Sequence, residues 1–302
     1  KVLPPRDRLK HLLSFRAQVQ GPTNPNPLQY ISEAMRDHGS NPDERELLIS
    51  APKTLALLET LSEKDQRSVR SVVTTLTKGM EIDLQTFPSE ISGKTKAFTA
   101  PEDLDRYIFL VAGCVGAFWT DIITAHTSAL THWDVELMSK IGIRFGKALQ
   151  LTNVLRDVPK DLQIGRCYLP SNQLNAEGLN PEDLRMPTNS SKARPVLKIW
   201  LHTVLEHYEA AEKYLLAIPN RCPRLRLAVL WPILIGLKTL SLLARKSDWL
   251  ESGKTAKVSR RWISWMIIRS IPIVLSNRLL SIWISRLRQD VQQASLTGGS
   301  MC

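Results

Sequence analysis

The sequence predicts an all-α fold, and three observations carry the prediction. Apolar residues recur at three- and four-residue intervals through the long segments, as in Val69, Val72, Val73, Leu76 and Met80, the spacing that gathers them on one side of a helix. Helix-start signals stand ahead of such segments: Ser62 precedes Glu63 and Asp65, and Thr99 precedes Pro101 and Glu102. Glycine (14) and proline (18) are modest and no internal repeat is visible in the 302 residues, which argues against a linker-rich or solenoid architecture. A chain of this length can bury a substantial core. Residues 1–294 are expected to form a single domain, with 295–302 as a disordered tail.

Composition narrows the partners without choosing one. Forty Lys plus Arg against 29 Asp plus Glu give a formal charge of +11, which suits a diphosphate, a membrane surface or nucleic acid. Cys114, Cys167, Cys222 and Cys302 are scattered, with no CxxC pair, and read as reduced intracellular thiols rather than a disulfide frame or zinc site. The chain opens on Lys1, so the natural N-terminus is expected to be missing.

Taken in order, the elements begin with a short amphipathic helix around Leu9, Leu12, Leu13 and Phe15, framed by Pro4-Pro5 and the turn-rich run to Pro27. Asp43 to Glu46 reads as exposed charge at a helix start. Helices follow over Leu47–Leu61 and Glu63–Phe87. Asp83, near the end of the second, is expected to be a surface acid. A Ser-, Gly- and Lys-rich loop over Pro88–Phe98 leads to a helix that runs from Thr99 to about His126, where Ala112, Gly113, Gly116 and Ala117 cut a groove of small residues. That groove serves close helix packing or leaves room for a bulky apolar ligand. His126 and His132, six apart beside a break, are assigned no role.

Asp134 starts the next helix, which carries Gln150, Asn153, Asp157 and Asp161 within roughly 80° of one another, while Phe145, Ala148, Leu149, Leu151, Val154 and Leu155 fill most of the remaining circumference. Two carboxylates one turn apart on such a helix need a counter-charge, which a hard divalent cation supplies while leaving positions for water and phosphate. Asn153 adds a neutral oxygen, and Arg156 a fixed cation suited to a phosphate oxygen. The plainer alternative is a solvated helix end, its acids balanced by Arg156, Lys160 and Arg166. Pro159 should bend the helix just before Asp161.

Loop formers occupy 171–192. A helix then spans Val196–Leu216 with Ile199, Trp200, Val204, Tyr208, Ala211 and Leu215 on its buried side; another spans Leu225–Leu243 and is kinked at Pro232. The second carries Lys238 and reads as a core helix rather than a membrane span. Lys254, Lys257, Arg260 and Arg261 surround Ser259 in a basic loop that equally suits phosphate binding. No GxGxxG accompanies it, so no Rossmann domain is implied. The last stretch, Trp262–Val291, aligns Trp265, Ile268, Ile271, Leu275, Leu279 and Trp283 among arginines and should kink or split at Pro272. Each of those charges costs about 2.5–3.5 kcal/mol at mid-bilayer, which counts against a spanning helix. Two readings stay open there, a basic amphipathic segment resting on anionic lipid and a packed core helix.

Two blocks carry a family resemblance. Gln150-Leu-Thr-Asn153-Val-Leu-Arg156-Asp157-Val-Pro-Lys-Asp161, followed by Gly165-Arg166-Cys-Tyr168-Leu-Pro170, resembles the second aspartate-rich motif of the squalene and phytoene synthases. Tyr107-Ile-Phe-Leu-Val111-Ala-Gly113-Cys-Val115-Gly116 is similar to that family's YxxxVAGxVG helix. The resemblance is specific in these blocks and weaker across the rest of the chain. It departs from the family at Lys160, where Glu is common, and in having no first aspartate-rich motif.

The resemblance implies an isoprenoid synthase-type bundle around a central apolar cavity. It implies Mg²⁺ held by Asp157 and Asp161, which together with Tyr107 would be catalytic. Gln150, Asn153, Arg156 and Arg166, with Val111, Gly113, Val115 and Gly116, would form the substrate site. Tyr107 is expected to project into the same cavity as Val111. The implied reaction is head-to-head condensation of two farnesyl diphosphates to presqualene diphosphate, with NADPH, met by Lys257 and Arg260, completing a reductive rearrangement to squalene in sterol or hopanoid biosynthesis. The alternatives are a phytoene, dehydrosqualene or presqualene diphosphate synthase that needs no hydride, and a non-catalytic scaffold. These 302 residues alone are expected to turn over little. No nucleic-acid partner is expected. The implied location is intracellular, cytoplasmic or peripheral at the cytoplasmic face of a membrane, with contact through the C-terminal basic helix.

Overall fold

The computed structural model describes residues 5–21, 46, 50–87, 92–253 and 255–297. The chain divides into two compact units, Lys1–Gln85 and Thr86–Cys302. Most of the charged run at 43–46, the start of the helix expected at Leu47, part of the loop at 88–98, Lys254 and residues 298–302 lie outside the described residues.

The first unit holds α1 (Pro5–Gln20), α2 (Ala51–Leu58) and most of α3 (Glu63–Thr86). Val19, Leu55 and Leu58 form its core, with Phe15, Val69 and Val73 packed against them. Ser62 caps α3 as its sequence predicts, accepting from the amide of Asp65 at 3.2 Å. Arg70 closes the end of α1 by donating to the carbonyls of Val19 and Gly21, and pairs with Glu59 at 2.7 Å. Asp83 departs from expectation: it is buried rather than on the surface.

In the second unit a continuous helical run consists of α4 (Pro101–Ile108), one π-helical turn (Phe109–Gly113) and α5 (Cys114–His126). Its start is capped by Asp103, whose carboxylate accepts from the amides of Thr99 and Ala100 at 3.1 and 3.0 Å, and not by the Thr99–Glu102 pair that the spacing suggests. The central helix is α6 (Val135–Gln163), capped by Asp134, which accepts from Leu137 N at 3.1 Å. It continues through Pro159. Two residues of β1 (Lys96–Ala97) pair in parallel with β2 (Arg166–Cys167), anchoring the segment after α6.

A short α7 (Ser171–Ala176) and two 3₁₀ turns lead to α8 (Arg194–Ala217) and α9 (Pro223–Arg245). α6 packs on α5 and the π turn, on α8 and on α9. Most of the expected face of α8 is buried, but Ile199 is 47% exposed. Its position falls outside the arc set by Val196, Trp200 and Val204. The most apolar stretch of α9 is mostly buried, in keeping with a core helix.

The final segment divides near Pro272 into α10 (Arg260–Ile273) and α11 (Asn277–Thr297). α11 reaches Thr297, past the start of the expected tail, and its last turn is secured by Thr297 Oγ1 donating to Gln293 O at 3.1 Å. α11 packs on α9 and α8. Buried Glu212 of α8 holds it by accepting from Ser281 Oγ at 2.5 Å and pairing with Arg288 at 3.0 Å. Fully buried Arg226 of α9 donates to Asn277 Oδ1 at 2.5 Å. These bonds offset the desolvation of the buried charges and fix α11 on one side only.

Candidate active site

The groove of small residues serves both expected purposes. A Cβ at Gly116 would lie 1.9 Å from the backbone oxygen of Gly142, and one at Gly146 would lie 2.2 Å from that of Ala112. Glycine therefore lets α5 and α6 approach backbone to backbone. Gly113 serves the same packing, its Cβ position lying 3.1 Å from the Phe109 ring and 3.3 Å from Ile143. Along the edge of that contact opens a cavity of about 380 Å³, lined by Val111, Val115, Gly116 and Trp119 of α5 and the π turn, by Phe145, Leu149 and Gln150 of α6, and by Tyr214 and Pro232 of α8 and α9.

A second cavity of about 440 Å³ shares Leu149, Ala228 and Pro232 with the first and adds Thr152, Asn153, Arg156, Tyr208 and Trp231. α6 thus carries its lining from apolar Phe145 through Gln150 to polar Asn153 and Arg156. Asp157 and Asp161 follow at its C-terminal end.

Two tyrosines close the walls. Thr152 Oγ1 donates to Ala148 O at 2.8 Å, which uses its one proton, so the Tyr208 hydroxyl donates to Thr152 across 3.0 Å. Tyr214 donates to Thr120 at 2.8 Å by the same logic, Thr120 being committed to Gly116 O at 2.9 Å. Burial pushes Tyr208 far above an ordinary phenol and Tyr214 up to about 12, so both stay neutral. Their wall positions are invisible to helical spacing, which cannot distinguish the wall of a cavity from a filled core.

The acidic end is half-buried and tightly paired. Arg156 donates to both oxygens of Asp157, at 3.0 and 2.5 Å. The pKa of Arg156 is raised, first by its hydrogen bond to Asp157 and further by the charges of Asp157 and Asp161. Among the described residues no group of three or more His, Cys, Asp or Glu could hold a metal ion. The donor set therefore does not fit a protein-only cage. It does fit Mg²⁺ arriving with a diphosphate, which needs one or two carboxylates and takes its remaining oxygens from substrate and water. Arg156 must then exchange Asp157 for phosphate.

Tyr107 is in the wall of neither cavity, unlike Val111. It stacks on Tyr168, with centroids 5.0 Å apart and planes at 20°, inside a cluster with Phe98 and Phe87. The π turn between Tyr107 and Val111 explains the separation, because residues four apart no longer align where bonding runs i to i+5. Tyr168 is the residue that sequence reasoning passed over, although it lies within the second motif. Arg166 is half-buried in β2. Lys257 and Arg260 are exposed, Arg260 as the first residue of α10, and neither lines these cavities.

Residues 2–262 match the family model for squalene/phytoene synthase. The chain belongs to the squalene/phytoene synthase family. Members of this family are prenyltransferases, an Mg²⁺-dependent class that acts on prenyl diphosphates. Curated relatives include the 15-cis-phytoene synthase of Synechocystis, 30% identical over 52% of this chain and 47% of its own length. Phytoene synthase 1 of Arabidopsis thaliana is 29% identical over 68% and 48%. The bifunctional lycopene cyclase/phytoene synthase of Colletotrichum graminicola is 28% identical over 65% and 33%. The chain thus spans a third to a half of the length of these relatives. Among solved structures, a ligand complex of TcSQS, a squalene synthase, superposes with a TM-score of 0.69 at 19% identity, covering 98% of this chain and 85% of that one. A ligand-bound dehydrosqualene synthase gives 0.53 at 19%, covering 95% and 89%. At such identities the likeness shows the fold, an isoprenoid synthase-type helical bundle.

Proposed function

We propose that this family member couples two prenyl diphosphates head to head, with farnesyl diphosphate as substrate and squalene as product. The observation that carries the reading is the grading of α6 side chains, which line one cavity at Phe145 and Leu149 and the next at Asn153 and Arg156, with Asp157 and Asp161 following on the same helix. A prenyl diphosphate has the same grading.

In this reading Asn153 and Arg156 bind diphosphate oxygens and Gln150 orients the first carbons of the chain. Asp157 and Asp161 would hold Mg²⁺, which when bound neutralises the leaving diphosphate. Trp119, Phe145, Tyr208 and Tyr214 exclude water, and their ring faces steady an allylic cation. The phenols remain un-ionised and so do not quench that cation as phenolates. Tyr107, stacked on Tyr168 outside both cavities, is given no step in this reading. Lys257 and Arg260 are assigned the phosphate end of NADPH.

A second reading follows from the curated relatives, which are phytoene synthases: the same coupling without a reductive step. Incubation of the longest available chain with farnesyl or geranylgeranyl diphosphate and Mg²⁺, with and without NADPH, separates the two. Squalene that appears only with NADPH supports the first, and a C30 or C40 polyene formed without it supports the second. Absence of any coupled hydrocarbon or presqualene diphosphate would sink both and leave the scaffold role.

A further inference from the structure

The first cavity has a far end, and one residue there differs from the others. Gly142 packs against Gly116 and Thr120, which bracket Trp119 in α5, while Gly146 packs against Ala112. α5 and α6 therefore run antiparallel, and the level of Gly142 and Trp119 is the end of the lining farthest from Asp157. Phe145, Tyr214 and Trp119 line that end. The first two are buried and locked: Tyr214 bonds Thr120 at 2.8 Å, meets Trp133 edge to face at 5.4 Å and lies 6.1 Å from the Phe145 ring. Trp119 is 38% exposed, and among the described residues it takes part in no ring contact or hydrogen bond. Its bulk borders the void without being fixed into the packing around it.

We propose that Trp119 is the stop that sets the length of the prenyl tail, admitting farnesyl and refusing geranylgeranyl. This role rests on the prenyl diphosphate reading, with the diphosphate at Asn153 and Arg156. From Asn153 to Gly142 the rise along α6 is about 16 Å. An extended tail, at the advance per bond of any extended chain, spans about 14 Å for farnesyl and about 19 Å for geranylgeranyl. The first ends short of Trp119, and the second must pass it. To do so it has to push the indole outward or fold back on itself within about 380 Å³, and either course loses apolar burial. Replacing the indole by a methyl removes a group bulkier than one isoprene unit, which makes room for the longer tail. The same change leaves the shorter tail facing a gap, and a gap forfeits contacts. One substitution should therefore move the two affinities in opposite directions.

The test titrates the whole chain, with Mg²⁺ present, with the thiolodiphosphate analogues of farnesyl and geranylgeranyl diphosphate, whose carbon–sulfur bond resists ionisation, and reads binding by calorimetry. The native chain should bind the farnesyl analogue at least about tenfold more tightly than the geranylgeranyl one. Trp119→Ala should shift that ratio at least about tenfold toward geranylgeranyl, and Trp119→Phe, which keeps a smaller ring, should shift it less. Inorganic diphosphate should bind all three chains alike, because Asn153 and Arg156 are untouched. Circular dichroism establishes that the variants are folded, and the phenylalanine variant carries the comparison if alanine unfolds the chain. A native chain that binds the two analogues equally or prefers the longer one would overturn the proposal, and so would a ratio that neither substitution moves. Product analysis with the reactive diphosphates separates this outcome from the fate of the coupling reaction. A chain that shows the shift in binding but forms no coupled product refutes the coupling and leaves the length stop standing, whereas a chain that couples farnesyl with an unmoved ratio does the reverse. If neither analogue binds, both are overturned.

Discussion

His207 of α8 is half-buried beside Arg144, which donates to its Nδ1 at 3.4 Å, and its Nε2 is buried. Burial first, then the charges of Arg144 and Lys147, lower its pKa from 6.5 to about 4, with Asp105 opposing them. The depressed value means that the unfolded chain takes up a proton before the folded one does. The contribution is therefore present above about 6.5 and lost as pH falls through 4. Denaturant melts between these limits should show stability falling with acid, and His207→Gln should flatten that slope. A slope unchanged by the substitution would remove His207 as its source. The proposed reaction makes a counterpart prediction at Asp157. Asp157→Asn leaves an amide that grips neither Mg²⁺ nor Arg156 well, and kcat should fall about a hundredfold or more. A near-native kcat would exclude Asp157 from the metal site. Both acids and their spacing were legible in the sequence, because DxxxD sits one turn apart on any helix. The engagement of Asp157 by its own neighbour Arg156 was not, since adjacent residues point about 100° apart on the wheel and meet only through the reach of the long guanidinium stem.

At the scale of elements, the contact of α5 with α6 sets the cavity, and glycine sets the contact. Gly116→Ala places a methyl 1.9 Å from a backbone oxygen on the facing helix, which no rotamer change relieves. The helices must separate, at a cost of about 3 kcal/mol or more, and thermal unfolding should register it. Gly253→Ala is the control: its Cβ position meets nothing within 4 Å and its φ is unstrained, so the melting temperature should move little. Sequence periodicity found these helices because their buried faces repeat at fixed offsets, and it located the break at Pro272 because proline lacks the amide the turn requires. It missed the π turn at Phe109–Gly113, since no residue type marks an added i to i+5 bond. That turn displaces Tyr107 from Val111. The exposure of Ile199 on α8 was by contrast legible, because its position falls outside the arc set by Val196, Trp200 and Val204.

For the second unit as a whole, the decisive property is empty volume, and Ala228 controls it. Ala228 borders both cavities along with Leu149 and Pro232, and its own side chain is exposed to the space between the helices. Ala228→Trp should fill that junction from an already open position, so it avoids the strain of overpacking a closed core and should change stability by no more than about 1 kcal/mol. Its effect on coupling should be far larger, because an indole at the junction denies an isoprenoid tail passage between the two cavities. The loss should fall on kcat/KM for every prenyl diphosphate chain length, while inorganic diphosphate, bound through Asn153 and Arg156, should retain its affinity by calorimetry. If the tails instead enter by a route that bypasses the junction, Ala228→Trp will keep its turnover. The grading of α6 would then describe the wall of an unused void, and the prenyl-coupling reading would lose the observation on which it stands.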